Sequence, residues 1–189
     1  MLTQLRIENF KAWRNTGAVR LAPLTVLFGA NSAGKSSLGH LLLALKQTAA
    51  SADRRRALDT GDDEALVDLG SFVDALHGRD RKAVLDFELE WTVDGGLAVQ
   101  NPLAPEQAAH GDRLRLSAAL AAAELDQPQV RTLRYELRGG AQTTLSAVLE
   151  QQAGPLKLTT RPYKLARAAG RNRPLEPPEK FYRLSEASL

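Results

Sequence analysis

Residues 29–36 read GANSAGKS. Two glycines frame four residues, and a lysine and a serine follow, which is the G-x-x-x-x-G-K-[ST] spacing of a phosphate-binding loop. Each residue type has a chemical reason to be there. Gly29 and Gly34 permit tight turns and close backbone approach to a ligand. Successive backbone N–H groups then converge on phosphate oxygens as an anion nest. Lys35 brings a mobile positive charge to the β and γ phosphates, and the Ser36 hydroxyl is placed to ligate Mg²⁺. No other stretch of the chain has a spacing that dictates a chemistry.

Such a loop must leave a buried strand and enter a helix. Before it stands Leu24-Thr25-Val26-Leu27-Phe28, an apolar, β-prone run with Pro23 at its entrance. That composition predicts a strand buried on both faces, as in a parallel sheet. After it, Leu38, Leu41, Leu42 and Leu45 recur at the i, i+3, i+4, i+7 spacing of an amphipathic helix. The helix is expected from about Lys35 to about Ala50, its N-terminus facing the phosphates and adding its dipole.

The chain has 189 residues, enough for one domain or one large lobe, and a hydrophobic content of 43% supports a core. No apolar run approaches the roughly 20 residues that span a bilayer, so no membrane partner is expected. The opening MLTQLRIENFKAW alternates polar and apolar residues and lacks a signal-peptide core. Cysteine is absent, which excludes disulfides and thiolate metal sites. With a nucleotide loop present, these features point to the cytoplasm. The net charge of +3 is unevenly spread. Residues 1–56 carry nine Lys/Arg against two Asp/Glu, residues 57–110 three against twelve, and residues 111–189 thirteen against eight. The basic first segment suits a polyphosphate and is compatible with DNA, although most of these side chains read as solvated surface. Arg54-Arg55-Arg56 is too short for a nucleic-acid patch and is placed to meet the C-terminal end of the preceding helix.

The wider pattern changes along the chain. Residues 2–10 alternate as a strand, and residues 18–21 form a second short one. Residues 53–80 are acidic and rich in turn signals, with short helical pieces near Glu64–Asp68 and Ser71–His77. From about residue 82 the period becomes two: Val84 to Trp91 alternates and ends near Asp94-Gly95-Gly96, a hairpin-like turn. Alternating runs follow at 113–120, 130–138, 142–151 and 156–164, punctuated by Gly139-Gly140 and Gly154-Pro155. Residues 100–111 and 121–129 read as loops or a short helix. These spacings predict an antiparallel meander. The tail from about Gly170, with Pro174, Pro177 and Pro178, reads as a linker.

LTQLRIENFKAW, then APLTVLFGANSAGKSS, then a Leu-rich helix ending LLLALKQ resembles the N-terminal lobe of ABC-like ATPases. Within these it is similar to the RecF/SMC/OLD-type branch, often called AAA-family ATPases in bacterial genomes. Asn31 at the third loop position and the I-x-N-F-K strand about twenty residues upstream carry the likeness, which covers about residues 1–90. VDLGSFVDALHGRD, residues 67–80, also resembles a block of one bacterial subgroup. The resemblance implies an α/β fold: a P-loop NTPase lobe with a parallel strand–loop–helix core at about 1–80, an antiparallel β meander at about 82–165, the lobe ending near 169, and a Pro/Arg-rich connection at 170–189. It implies that Gly29, Ala30, Asn31, Ser32, Ala33, Gly34, Lys35, Ser36 and Ser37 wrap the phosphates of ATP. Lys35 would stabilise charge on the transferred phosphoryl group. Ser36 would bind Mg²⁺, and Lys11 would stand near the nucleotide. Trp13 fits either a base-facing residue or the core.

The same likeness implies motifs that are missing. A Walker B strand needs four apolar residues and then Asp-Glu. In Ala83-Val84-Leu85-Asp86-Phe87-Glu88 the carboxylates instead alternate with apolar residues, and Asp62-Asp63-Glu64 has no apolar run before it. Leu116-Ser117-Ala118-Ala119 and Leu184-Ser185-Glu186-Ala187 both lack the glycine of the signature segment that a second protomer supplies. His40, His77 and His110 are scattered, and Gln47 lies on the first helix, a poor place for a nucleotide-sensing glutamine. The expectation is therefore an ATP-binding N-terminal portion of an ATPase acting in DNA repair or anti-phage defence. It would pair as a homodimer or with a partner protein, possess DNA as a candidate partner, and turn over ATP efficiently only with motifs outside this chain. The alternative is a non-catalytic module that binds a partner or senses a nucleotide.

Overall fold

The computed structural model describes residues 1–101, 104–151, 155–163 and 175–183. The chain opens with strand β1 (Leu2–Phe10), which turns back into β2 (Trp13–Asn15) and β3 (Val19–Arg20). Both short strands pair antiparallel along one edge of β1. Helix α1 spans Lys35–Ala50, and a single turn of helix, α2, spans Phe72–Ala75. Five strands complete the fold: β4 (Leu85–Asn101), β5 (Ala104–Ala122), β6 (Pro128–Gly139), β7 (Gln142–Gln151) and β8 (Leu156–Arg161). All eight strands belong to one sheet of order β2-β1-β4-β5-β6-β7-β8, with β3 beside β1.

Every pairing between these strands is antiparallel. The expected α/β class with a parallel strand–loop–helix core is therefore wrong: the fold is an antiparallel β-sheet with one long helix against it. The physical reason lies in the connections. A parallel core needs crossovers that bring later strands back beside the loop strand. Here each strand from β4 onward pairs with its neighbour in sequence, and β4 closes onto β1. No strand of the sheet pairs with Leu24–Phe28 among the described residues. That run forms no strand, and Leu24 is 81% and Phe28 89% exposed.

The two faces of the sheet follow from the period of two. Leu5, Ile7, Leu85, Phe87, Leu116, Ala118, Leu120, Val130, Leu133 and Leu149 point inward to one core with Leu38, Leu41, Ala44 and Leu45 of α1. Asp94-Gly95-Gly96 is not a hairpin turn. It lies inside β4 as a bulge, where the register jumps from Thr92↔Arg113 to Leu97↔Gly111. Residues 100–111, expected as loops or a short helix, belong to β4 and β5 where they are described, and residues 64–68 form no helix.

The C-terminal end of α1 is anchored twice. Gln47 is buried, and its amide bonds the Asp59 and Val67 carbonyls and accepts from Val67 N–H, tying down the acidic loop. The C-terminal carbonyls meet Lys180, only 4% exposed, whose Nζ donates to Thr48 at 2.7 Å and Ser51 at 2.7 Å. Of the arginine triplet expected there, Arg56 instead pairs with Asp53 and Asp59. Of the stretch read as a linker, residues 175–183 are described, and they pack: Phe181 is buried edge-on against Phe87. Gly170 to Pro174 and Leu184-Ser185-Glu186-Ala187 lie outside the described residues, as do Gly154 and residue 164.

Candidate functional site

Gly34 is the pivot of the site. It adopts φ +83°, a left-handed conformation that glycine adopts without a side-chain penalty, and α1 begins at the next residue. Among the described residues no side chain caps this helix end, and its first turn holds no acidic residue. Its free N–H groups and the positive end of its dipole thus remain unneutralised by the protein. Ser32, at φ +63°, adds a second left-handed residue two positions earlier. Alternating left- and right-handed residues build the concave N–H arrangement that favours anions.

The loop is compact. Ala33 N–H bonds the Ala30 carbonyl at 3.3 Å, and Ser37 N–H bonds the Gly34 carbonyl at 3.0 Å. Lys35 folds back so that Nζ donates to the Gly29 carbonyl at 2.9 Å and the Ala30 carbonyl at 2.6 Å. The ammonium thereby sits across the mouth of its own loop. Asn31, Ser32, Gly34, Lys35, Ser36 and Ser37 line one cleft of about 580 Å³ together with Lys11 and Ala12. Gly29, Ala30 and Ala33 shape the loop through their backbones. Every residue named from the sequence thus falls in or around one place, Lys11 included.

Lys11 reaches the cleft because its backbone is held in an uncommon state. Its φ is +45°, which a non-glycine residue keeps only when its surroundings fix it. Lys11 N–H bonds the Ala75 carbonyl at 2.8 Å. The Lys11 carbonyl lies 2.9 Å from His77 Nδ1, which must be the protonated nitrogen, because a carbonyl only accepts. Ala75 ends α2, whose start is a capping box, and His77 opens the short turn that follows it. Hydrogen bonds from the Ser71 hydroxyl and then its backbone N–H hold the Asp74 carboxyl below its usual range. His77 is therefore a structural residue, while His110 is exposed on β5. His40 lies on α1 with Nδ1 buried and unpartnered among the described residues.

One residue that matters here was ambiguous in the sequence. The Trp13 indole N–H donates to the Gly34 carbonyl at 2.9 Å. A Cβ on Gly34 would come within 2.7 Å of the Ala12 Cβ and 3.0 Å of Trp13 Nε1. The β1–β2 turn thus presses directly on the loop. The contact spans 21 residues, so no local spacing betrays it.

The carboxylates of the rejected Walker B imitation lie elsewhere. Leu85 and Phe87 face the core, so Asp86 and Glu88 point to the opposite face, away from α1. There Arg6 pairs with Glu8 and Asp86, and Arg115 with Glu88 and Glu90. Burial pushes the Asp86 carboxyl upward. For Glu90 burial pushes upward too, but hydrogen bonds and charge from Arg115 and Arg138 outweigh it and leave the carboxyl below its usual range. A second concavity on this face, about 430 Å³, mixes Arg134 and Arg161 with Glu136 and Glu150. The cleft at the loop differs in kind: its described lining has two lysines and no carboxylate.

No protein-family model matches this chain, and no curated protein does. Among the described residues no cluster of His, Asp and Glu is built to hold a metal alone. A lone serine hydroxyl fits Mg²⁺ only as one ligand beside phosphate oxygens and water. Ser36, exposed in the second position of α1, is such a group.

Proposed function

We propose that the chain binds ATP with Mg²⁺ through residues 29–37, with Lys35 and Lys11 as counter-charges. The observation that carries this reading is the cleft itself. It gathers two ammonium groups, three serine hydroxyls and an uncapped helix N-terminus, with no carboxylate among the described residues of its lining. A polyphosphate is the ligand class that this set suits. Lys35 would exchange its bonds to the Gly29 and Ala30 carbonyls for phosphate oxygens by a side-chain rotation. Ser36 would supply one oxygen to Mg²⁺.

The motif resemblance extends the proposal to the ATP-binding portion of an ABC-like, RecF/SMC/OLD-type ATPase, a cytoplasmic protein of DNA repair or anti-phage defence. Efficient hydrolysis needs a carboxylate that positions Mg²⁺ and water, and a signature segment that closes over the γ-phosphate. Neither lines this cleft, so binding with little turnover is the activity proposed for the chain alone. A lobe or partner protein that carries those motifs would complete the site; a second copy of this chain would not, because it lacks them too. DNA contact would show as binding that weakens steeply with salt.

Competition against a fluorescent ATP analogue tests the reading. The order ATP, then ADP, then AMP is expected, because phosphates carry the binding. Equal competition by all three would contradict it. Turnover near about one per second, typical of competent enzymes, would contradict the limited-hydrolysis part.

The exposed run Leu24, Val26, Leu27 and Phe28 favours a second reading, a partner-binding module in which the loop is sensory or vestigial. Nucleotide binding that is absent, or indifferent to Lys35→Ala, would select it.

A further inference from the structure

We propose that Trp13 is a positioning residue for the phosphate loop, an inference that rests on the reading of residues 29–37 as a nucleotide site. Among the described residues the loop has no strand beside it on its N-terminal side. Residues 24–28 are exposed and form no strand. Among the described residues, the Trp13 indole N–H on the Gly34 carbonyl is the one hydrogen bond that joins residues 29–34 to any part of the chain beyond the helix they lead into. The Gly34 carbonyl also accepts from Ser37 N–H, so both lone pairs are engaged and its peptide plane is fixed. That peptide carries the N–H of Lys35, the first residue of α1, so fixing it aims the start of the helix into the cleft.

The clamp is itself held. Trp13 begins β2, whose register against β1 is set by Phe10↔Trp13 and Glu8↔Asn15. The intervening turn is pinned by Ala75 and His77 through Lys11. Ala12 closes the remaining space against Gly34. The indole thus transmits the rigidity of the sheet edge to a loop that its own preceding segment leaves unsupported.

Trp13→Phe keeps the aromatic body and deletes the N–H donor. In the ligand-free protein, hydrogen exchange in residues 33–37 should quicken several-fold in the variant, with β4–β6 unchanged. Its affinity for Mg·ATP should fall about fivefold, the size of one neutral hydrogen bond. A spectroscopic signature separates positioning from mere packing. The chain has two tryptophans; in wild type the Trp13 indole N–H resonance, assigned through Trp91→Phe, should move on Mg·ATP addition while that of Trp91 stays. Unchanged exchange in Trp13→Phe overturns the proposal, as does equal Mg·ATP affinity of a wild type and variant that both bind. Failure of wild type to bind Mg·ATP overturns the nucleotide reading instead, and the ligand-free exchange result then decides the clamp alone.

Discussion

At the residue scale, two lysines and one glycine set what the cleft can do. Lys35 and Lys11 converge from positions 24 apart in sequence, and the described lining holds no carboxylate; Asp74, outside the cleft, lies near enough to feel the Lys11 charge. Gly34 is required twice, for its φ of +83° and for the space that Ala12 already fills. Gly34→Ala should therefore cost about 1–2 kcal/mol from the left-handed backbone alone. It should also displace the β1–β2 turn and weaken nucleotide binding by about tenfold or more. Urea unfolding and an ATP titration on the same variant check both. Much of this site was legible from residue types, because the glycine–lysine–serine spacing encodes its own local geometry. Trp13 was not, because its role depends on a fold that brings residue 13 to residue 34.

At the element scale, the helix and the strands behaved differently from the run before the loop. The Leu38, Leu41, Leu45 stripe specified α1, since an apolar stripe of that period has one way to be buried. The alternating stretches from residue 84 onward lie in strands for the same kind of reason. Leu24–Phe28 has the composition of a buried strand, yet a strand exists only if neighbours supply its hydrogen bonds, and composition says nothing about neighbours. The far end of α1 raises a separate expectation. Its last turn has no basic residue of its own, and Lys180 serves it from 129 residues beyond Ser51. Lys180→Met would leave the Thr48 and Ser51 carbonyls without that donor. A loss of about 2 kcal/mol is expected for charge-assisted bonds in a buried place. Faster hydrogen exchange at the C-terminal turn of α1, relative to its first turn, would identify the lost cap as the cause.

At the scale of the whole molecule, one sheet carries a helix on one face and ion pairs on the other. The hub of the polar face is Glu90, 5% exposed beneath Arg113, Arg115 and Arg138. Its carboxyl is held below the usual range, so it binds a proton less readily folded than unfolded. Its stabilising contribution is therefore full above the unfolded value and is lost as pH falls through the folded one. Asp86 runs the other way: raised by burial, its contribution is present at low pH and lost as pH rises through its folded value. Glu90→Gln removes the first effect alone. It should cost about 2 kcal/mol near neutral pH, less than a fully buried pair because the arginines are partly exposed. The gap from wild type should narrow on acidification, as urea titrations near neutral pH and in acid will show. The molecule so built holds its cleft at one edge of an antiparallel sheet, and the central claim is that this cleft takes ATP through its phosphates. Direct equilibrium titration of the whole chain with a fluorescent ATP analogue and Mg²⁺, wild type against Lys35→Ala, tests it most simply. Saturable binding that Lys35→Ala weakens by about tenfold or more, the worth of charge-assisted bonds to phosphate, is the predicted result. No binding by wild type, or equal binding by both, would contradict it.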